Sequence, residues 1–391
     1  MRHYLDHAAT APLRPEARDA WLRATETVGN ASSTHGAGQD ARRLLEESRE
    51  RAAAVLGADP IEIVFTSGGT ESINLALQGM WHARAEGTTD IVLPDGEHHA
   101  TMDTVAALAE EGAGVRRVTL SPLARIDPRA FGEQLPGAAL ATALVANNEA
   151  GTVNDAAGMA DEAAAAGVPL HLDAVAALGH VPVSFRGWRA DAGPGTGLVA
   201  LSVAGHKIGA PVGVGALVAA RTARLTALLR GGAQQRGLRA GTQDVAGAAA
   251  FATALELAEA EREGEARRLR LLRDRLVAGV RSAVPAAELL GDPDDRLPGN
   301  AHLLFPGAVG ESLLFLLDVA GVSASTGSAC QAGVAEPSHV VMAMGRDEQD
   351  ARSVLRFSLG RTSTDDDVDA VLAVIADAYA RASGAGTAAR S

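Results

Sequence analysis

Four short segments of the 391-residue sequence carry residue types that could do chemistry. In Thr66-Ser67-Gly68-Gly69-Thr70-Glu71-Ser72 a glycine-rich turn leads from an apolar run into a helical pattern. Such a turn aims backbone N–H groups and a threonine hydroxyl at an anion, with the helix dipole in support. The same residues also read as an ordinary strand-to-helix turn with an N-cap threonine. The Walker spacing and its lysine are missing, which argues against a nucleoside triphosphate site.

The second segment is His171-Leu172-Asp173, which closes an apolar run. A carboxylate at the carboxyl end of a parallel strand stands where doubly wound folds bind ligands, and it could pair with a protonated ring nitrogen; alone, such an aspartate is more often a helix cap. The third, Ala204-Gly205-His206-Lys207, offers an amine that forms an imine with a carbonyl if its surroundings lower its pKa, although a lone lysine is far more often a surface charge. The fourth is Ser323 to Gly333 around Cys330, the sole cysteine. A solitary buried cysteine usually sits among large apolar neighbours. This one lies in a run of small residues that reads as a mobile loop, as a thiol that travels to a substrate requires.

The elements that must position these groups follow from periodicity. From Ile61 onward apolar, β-rich runs alternate with helical ones: 61–66, 71–84, 91–94, 100–111, 115–120, 140–146, 156–166, 169–173, 198–204 and 213–219. This is the pattern of βαβ units, and near-continuous apolar strands imply a mostly parallel sheet covered on both faces by helices. A long helical pattern over 244–284 leads out of that unit, and a smaller α+β unit follows, with a last helix from Thr364 to about Arg381. The expected division is a large domain over 16–255 and a small one built from 1–15 and 256–391, which carries the Cys330 loop. Residues 383–391, rich in Gly, Ala and Ser, read as disordered.

Composition bounds the function. Hydrophobic residues are 47% and charged residues 21%, ordinary for a soluble globular protein, while aromatic residues are only 3%, so the cores must be built from Ala, Val and Leu. A formal charge of −13 argues against general nucleic-acid binding. Neither a signal peptide nor an uninterrupted membrane-length stretch is expected, and a single cysteine, unable to form an internal disulfide, fits a reducing cytoplasm. No metal site is expected.

Taken together, the motifs resemble those of the cysteine desulfurases, a branch of the class V, fold-type I aminotransferases that depend on pyridoxal 5'-phosphate (PLP). The resemblance runs nearly end to end: Tyr4 to Thr10, Gly29 to Ser33, Phe65 to Asn74, Glu97 to Ala100, Asn147 to Gly151, Gly205 to Lys207, Arg236 to Thr242, Gly327 to Cys330 and Arg356 to Arg361. It implies that Lys207 holds PLP, that Asp173 keeps the pyridine nitrogen protonated and that His98 stacks on the ring. Gly69, Thr70 and His206 would bind the phosphate, Asn148 the ring oxygen, Arg356 the substrate carboxylate, and Asn30 would help to place the substrate. Thr242 would reach the phosphate of a neighbouring subunit, which implies a homodimer. L-cysteine would give up its sulfur to Cys330, with Lys207 and His98 handling the Cα proton; alanine would leave, and the persulfide would pass to an acceptor protein for iron–sulfur cluster assembly or thio-modification.

Where the family usually has a glutamine on the ring oxygen and a serine on the phosphate, this chain has Ala176 and Ala204. Each lost hydrogen bond to a charged group costs roughly 1.5–3 kcal/mol. Ser202, one pleat period from Ala204, is a candidate to compensate through water. The Gly/Pro stretch over 189–198 reads as a flexible surface insertion. The alternatives on the same scaffold are a selenocysteine lyase, a cysteine C–S lyase, or a degenerate partner protein without activity.

Overall fold

The structure, a computed structural model, describes residues 2–327, 330–331 and 334–388, with the backbone alone at 330–331, 334–335 and 385–388. Its strands are β1 (His3–Tyr4), β2 (Ile63–Thr66), β3 (Asp90–Pro94), β4 (Gly114–Val118), β5 (Leu140–Leu144), β6 (Pro169–Asp173), β7 (Gly197–Ala204), β8 (Gly215–Ala219), β9 (Glu288–Leu289), β10 (Asn300–Leu304), β11 (Val322–Ser323), β12 (Cys330–Gln331), β13 (Val334–Ala335) and β14 (Val354–Ser358).

Strands β2 to β8 form one seven-stranded sheet in the order β2-β8-β7-β6-β5-β3-β4. All its pairings are parallel except those of β8, which runs antiparallel to both β2 and β7. The central strands β5, β7 and β8 are buried along their whole length. Their Leu, Val and Ala side chains therefore serve both faces, the arrangement that helices on either side of a parallel sheet demand. This is the mostly parallel, helix-covered sheet that the alternation of runs implied.

A 39-residue helix, Val245–Ala283, joins two hydrophobic cores. Its first half, through Ala258, packs with the large sheet, and Leu269 to Val280 pack with a second core built from β10, β14 and the helix Asp365–Ala388. The first residues of the chain belong to this second core. Strand β1 pairs with β11, Asp6 bridges to Ser358, and Leu5 is fully buried.

Several local features differ from expectation. The helix Asp365–Ala388 runs past Arg381, so residues 383–388 continue it where a disordered tail was expected; the Ser383 hydroxyl donates to the Tyr379 carbonyl one turn back. The stretch over 189–198 is organised around Arg189, whose guanidinium donates to the carbonyls of Gly193 (2.9 Å) and Thr196 (3.1 Å). Ser202 does not reach the phosphate region: its hydroxyl is bound to His171 Nε2 at 2.8 Å, and it is fully buried. The helices Pro15–Thr25 and Gly36–Leu56 occupy a region from which the periodicity yielded no element.

Candidate active site

The carboxyl ends of β2, β3, β5, β6 and β7 open on a cavity of about 420 Å³ that is closed from the other side by β14 and the chain's first turn. Gly69, Thr70, His98, Asn148, Asp173, His206, Lys207 and Arg356 all line it. Residues as far apart in sequence as Gly69 and Lys207 are thus brought together by strand ends that share a sheet edge, and Arg356 meets them from β14 in the smaller sheet.

Gly68 stands at φ 151° and precedes the helix Gly69–His82 without a side-chain cap. The first-turn N–H groups of a helix have no intrahelical acceptor. A Cβ at Gly69 would lie 2.7 Å from the Val175 side chain, so only glycine lets this turn approach the loop after β6 so closely. The turn is braced from behind: Ser67 N–H donates to Glu71, which in turn is ion-paired with Arg239 at 2.9 Å. The result is a rigid cradle of unpaired donors at the cavity wall, suited to a phosphate.

Lys207 follows β7 in a short turn and points its Nζ to the carbonyls of Ala8 and Ala9. Burial, and then the Arg356 charge, press its pKa down to about 8, against the opposing pull of Asp6 and Asp173. Asp173, the last residue of β6, accepts one hydrogen bond from the Val175 N–H at 2.8 Å. Burial pushes its carboxyl up to about 6, offset by that bond and by Lys207. A proton-bearing ring nitrogen at Asp173 would supply the missing counter-charge.

His98 caps the helix His99–Glu110 through Nδ1, which accepts from the Ala100 N–H at 3.0 Å; the neutral ring therefore carries its proton on Nε2. Burial, reinforced by the Lys207 charge, lowers its pKa to about 4, and His206 is held at about 4 in the same way. Arg356 projects from β14 with Nη1 on the Asn148 carbonyl (2.9 Å) and Nη2 on Asp6 (3.0 Å), while its buried Nε has no partner.

Not every expected residue meets at this cavity. Asn30 is exposed, with its side-chain oxygen on the Ser32 N–H at 2.9 Å, and Thr242 is exposed as well; neither lines the cavity within one chain. The Cys330 side chain lies outside the described residues, although its backbone pairs with Ala335 in the β12–β13 hairpin. Ala176 lines the cavity, whereas Ala204 is fully buried behind Gly69.

Glu97 and Glu149 fall within motifs but with no role implied, and His339 falls within none, yet all three belong to the site's framework. Glu97 Oε1 accepts from the Leu144 N–H at 2.8 Å while Oε2 is buried without a partner, and burial raises its carboxyl to about 8. Glu149 and His339 line the cavity itself. The residue before Asn148 shows why the motif has two asparagines: the Asn147 side chain is spent on the backbone, accepting from the N–H groups of Glu149 and Ala150 and donating to the Gly96 carbonyl.

A half-buried amine beside a buried carboxylate, under an uncapped glycine turn and facing an arginine, fits PLP and an amino acid. The family model for aminotransferase class V matches residues 3–371. The chain belongs to that family. Within it the chain groups with the cysteine desulfurases: it is 48% identical over 387 residues to an IscS-like cysteine desulfurase of Mycobacterium tuberculosis, a match covering 97% of this chain and 96% of the other. It is 39% identical over 374 residues to the cysteine desulfurase IscS of Methanosarcina thermophila, covering 95% and 90%. A solved structure described as a NifS-like protein superposes with a TM-score of 0.89 at 29% identity, over 97% of this chain and all of that one. Membership in this family of PLP enzymes agrees with the resemblance drawn from the motifs, and no helix among the described residues is long and apolar enough to cross a membrane.

Proposed function

We propose that this cysteine desulfurase binds PLP on Lys207 and transfers the sulfur of L-cysteine to Cys330, leaving L-alanine. The observation that carries the reading is the Lys207 amine, half-buried in the cavity wall with its pKa lowered to about 8 and flanked by Asp173 and Arg356. Gly69, Thr70 and His206 would hold the phosphate, Asn148 the ring oxygen, His98 the ring face and Asp173 the pyridine nitrogen. Bound PLP supplies an electron sink that takes up the charge left when bonds at the amino acid's α- and β-carbons are broken.

The chain's own residues do the rest. Arg356 fixes the substrate carboxylate with charge-assisted hydrogen bonds, which orients the Cα–H toward the cavity's base, and Asn30 helps to place the substrate. Lys207, with a substantial neutral fraction near pH 8, accepts and returns the Cα proton. His98, neutral above pH 4, can donate a hydrogen bond through Nε2 without bringing a second positive charge to the site. Cys330 as a thiolate takes the sulfur: the substrate Cβ–S bond breaks, an S–S bond forms, and the β-carbon gains a proton to complete alanine. The persulfide then passes to an acceptor protein for iron–sulfur cluster assembly or thio-modification.

Thr242 and Asn30, both exposed in the single chain, support a homodimer in which Thr242 completes the phosphate site of the other copy. The two larger hydrophobic cores support a division into a large PLP-binding domain over 16–255 and a small domain that carries the cysteine loop, with a third, smaller cluster joining them. Cytoplasmic residence fits the lone cysteine. The deciding experiment is intact-protein mass after cysteine is added. A gain of one sulfur on Cys330 together with equimolar alanine is expected, and alanine with free sulfide but no protein-bound sulfur points instead to a C–S lyase.

A further inference from the structure

We propose that Glu149 is a positioning residue for sulfur transfer, holding both limbs of the loop between Gly327 and Ser338 against the cavity wall. The consequence for catalysis rests on the desulfurase reading above; the clamp itself does not. The backbone of Glu149 is fixed first. Its N–H donates to Asn147 Oδ1 at 3.0 Å and its carbonyl accepts from Asn300 Nδ2 at 3.1 Å, so the side chain leaves from a point anchored in both domains' cores.

That side chain is buried, and its Oε2 accepts the Ser338 hydroxyl proton. Ser338, fully buried, is itself committed: its oxygen accepts from the Val341 N–H at 3.1 Å as the cap of the helix His339–Ala343, which turns the hydroxyl proton outward to the carboxylate. The outgoing limb of the loop is thereby tied to Glu149. The incoming limb rests on the same carboxylate. Gly327, at φ 87°, comes so close that an added Cβ would lie 3.1 Å from Glu149 Oε2 and 3.4 Å from its Cδ. One carboxylate therefore sits between the two ends of the segment in which Cys330 is placed.

Each limb has a second attachment, which sets the size of the effect. Ser325 and Arg356 exchange backbone hydrogen bonds of 3.1 and 2.7 Å on the incoming side. On the outgoing side His339 Nε2 bonds the Glu97 carbonyl at 2.9 Å, and its ring stands edge-on to His99 at 4.8 Å. Removing Glu149 loosens the loop without detaching it, and it leaves Lys207, Asp173 and the phosphate cradle untouched.

The chain has one cysteine, so a thiol reagent reports one site. In PLP-loaded Glu149→Ala, alkylation of Cys330 by iodoacetamide and amide exchange over 325–327 and 338–341 should quicken severalfold. First-turnover persulfide formation should fall about tenfold or more, the scale of a lost hydrogen bond to a charged group. The visible absorbance change on adding cysteine should persist. Ser338→Ala and Gly327→Ala should act in the same direction, and Glu149→Ala/Ser338→Ala should be no worse than Glu149→Ala, because the pair shares one interaction. Should Glu149→Ala not fold, those two single variants carry the test. Alkylation and exchange within about twofold of the parent, given that coupled partners normally shift by more than that, overturn the clamp. Loss of the absorbance response in Glu149→Ala also overturns it, by placing Glu149 in substrate binding. A parent that forms no persulfide defeats the desulfurase reading, and alkylation and exchange still decide on the clamp.

Discussion

The guanidinium of Arg356 stands 3.0 Å from the carboxylate of Asp6, Nη2 to Oδ1, across the junction between β14 and the first turn of the chain. The arginine proposed to take the substrate carboxylate thus already has a carboxylate partner, and a substrate must share or displace it. Asp6 also raises the pKa of Lys207, so one aspartate touches both ends of the proposed chemistry.

Replacing Asp6 with Asn leaves Arg356 in place but removes the competing charge. The KM for cysteine should fall severalfold, and Lys207, losing a neighbour that favours its ammonium form, should titrate lower still. Arg356→Gln should raise KM by roughly 10–100-fold, the equivalent of one charge-assisted contact. Steady-state kinetics on the two variants measure both, and an unchanged KM in Arg356→Gln counts against its role.

Covalent uptake of PLP needs the neutral form of the lysine amine. With Lys207 near 8 rather than 10.5, the rate at which cofactor-free protein acquires visible absorbance should climb with pH and level off just above 8. A rate still rising about tenfold per pH unit at pH 9 would mean that the amine is unperturbed. Lys207→Ala should show no such uptake while keeping its far-ultraviolet circular dichroism.

Ala176 and Ala204 are no longer equivalent once their surroundings are known. Ala176 faces the cavity, so Ala176→Gln can reach the cofactor and should improve PLP retention in dialysis by about tenfold, or about 1.4 kcal/mol. Ala204 is buried behind Gly69, with its Cβ 3.6 Å from where a Gly69 Cβ would lie, so Ala204→Ser should bring a smaller gain. A larger gain from Ala204→Ser than from Ala176→Gln would reverse this assignment.

His302 lies on β10 opposite Arg356, fully buried, with neither ring nitrogen partnered. Burial, then Arg356 and Arg296, hold its pKa at about 3 against 6.5 for the free group. Between those values the unfolded chain binds a proton that the folded chain refuses, so stability is lost as pH falls through this window. His302→Leu removes both the unpaired nitrogens and this proton linkage. It should stabilise the fold by about 1–3 kcal/mol, with the advantage over the parent widening from pH 6.5 to pH 4 in thermal melts.

The strand ends that make the site were legible because their residues alternate with helical runs at short, regular spacing; Asp173 and Lys207 each fall where an apolar run stops. Arg356 was legible only through family resemblance, since nothing local marks one arginine among many. The roles of Glu97, Glu149 and His339 were not legible, because each is defined by what it meets across the fold: a Leu144 amide, a Ser338 hydroxyl, a Glu97 carbonyl. The helices before Ile61 were passed over although their punctuation is ordinary, with Pro15 at a first turn and Gly57 in the left-handed conformation at an end. Ser202 misled for a simple reason: the pleat gave its face correctly, but a neighbouring histidine on the same face claimed the hydroxyl.

The carbonyls that receive the Lys207 amine belong to Ala8 and Ala9, and that stretch is held by β11 and by Ser358 near the opposite end of the sequence. During synthesis the ribosome releases the amine's partners first and their support last. The large sheet can close while the chain is still emerging, but the lysine must wait, without its final contacts, until about 150 further residues have been made. Contacts of such long sequence separation form slowly. Maturation of the cofactor site is thus tied to completion of the polypeptide, and a nascent or prematurely ended chain presents a sheet without a finished amine pocket.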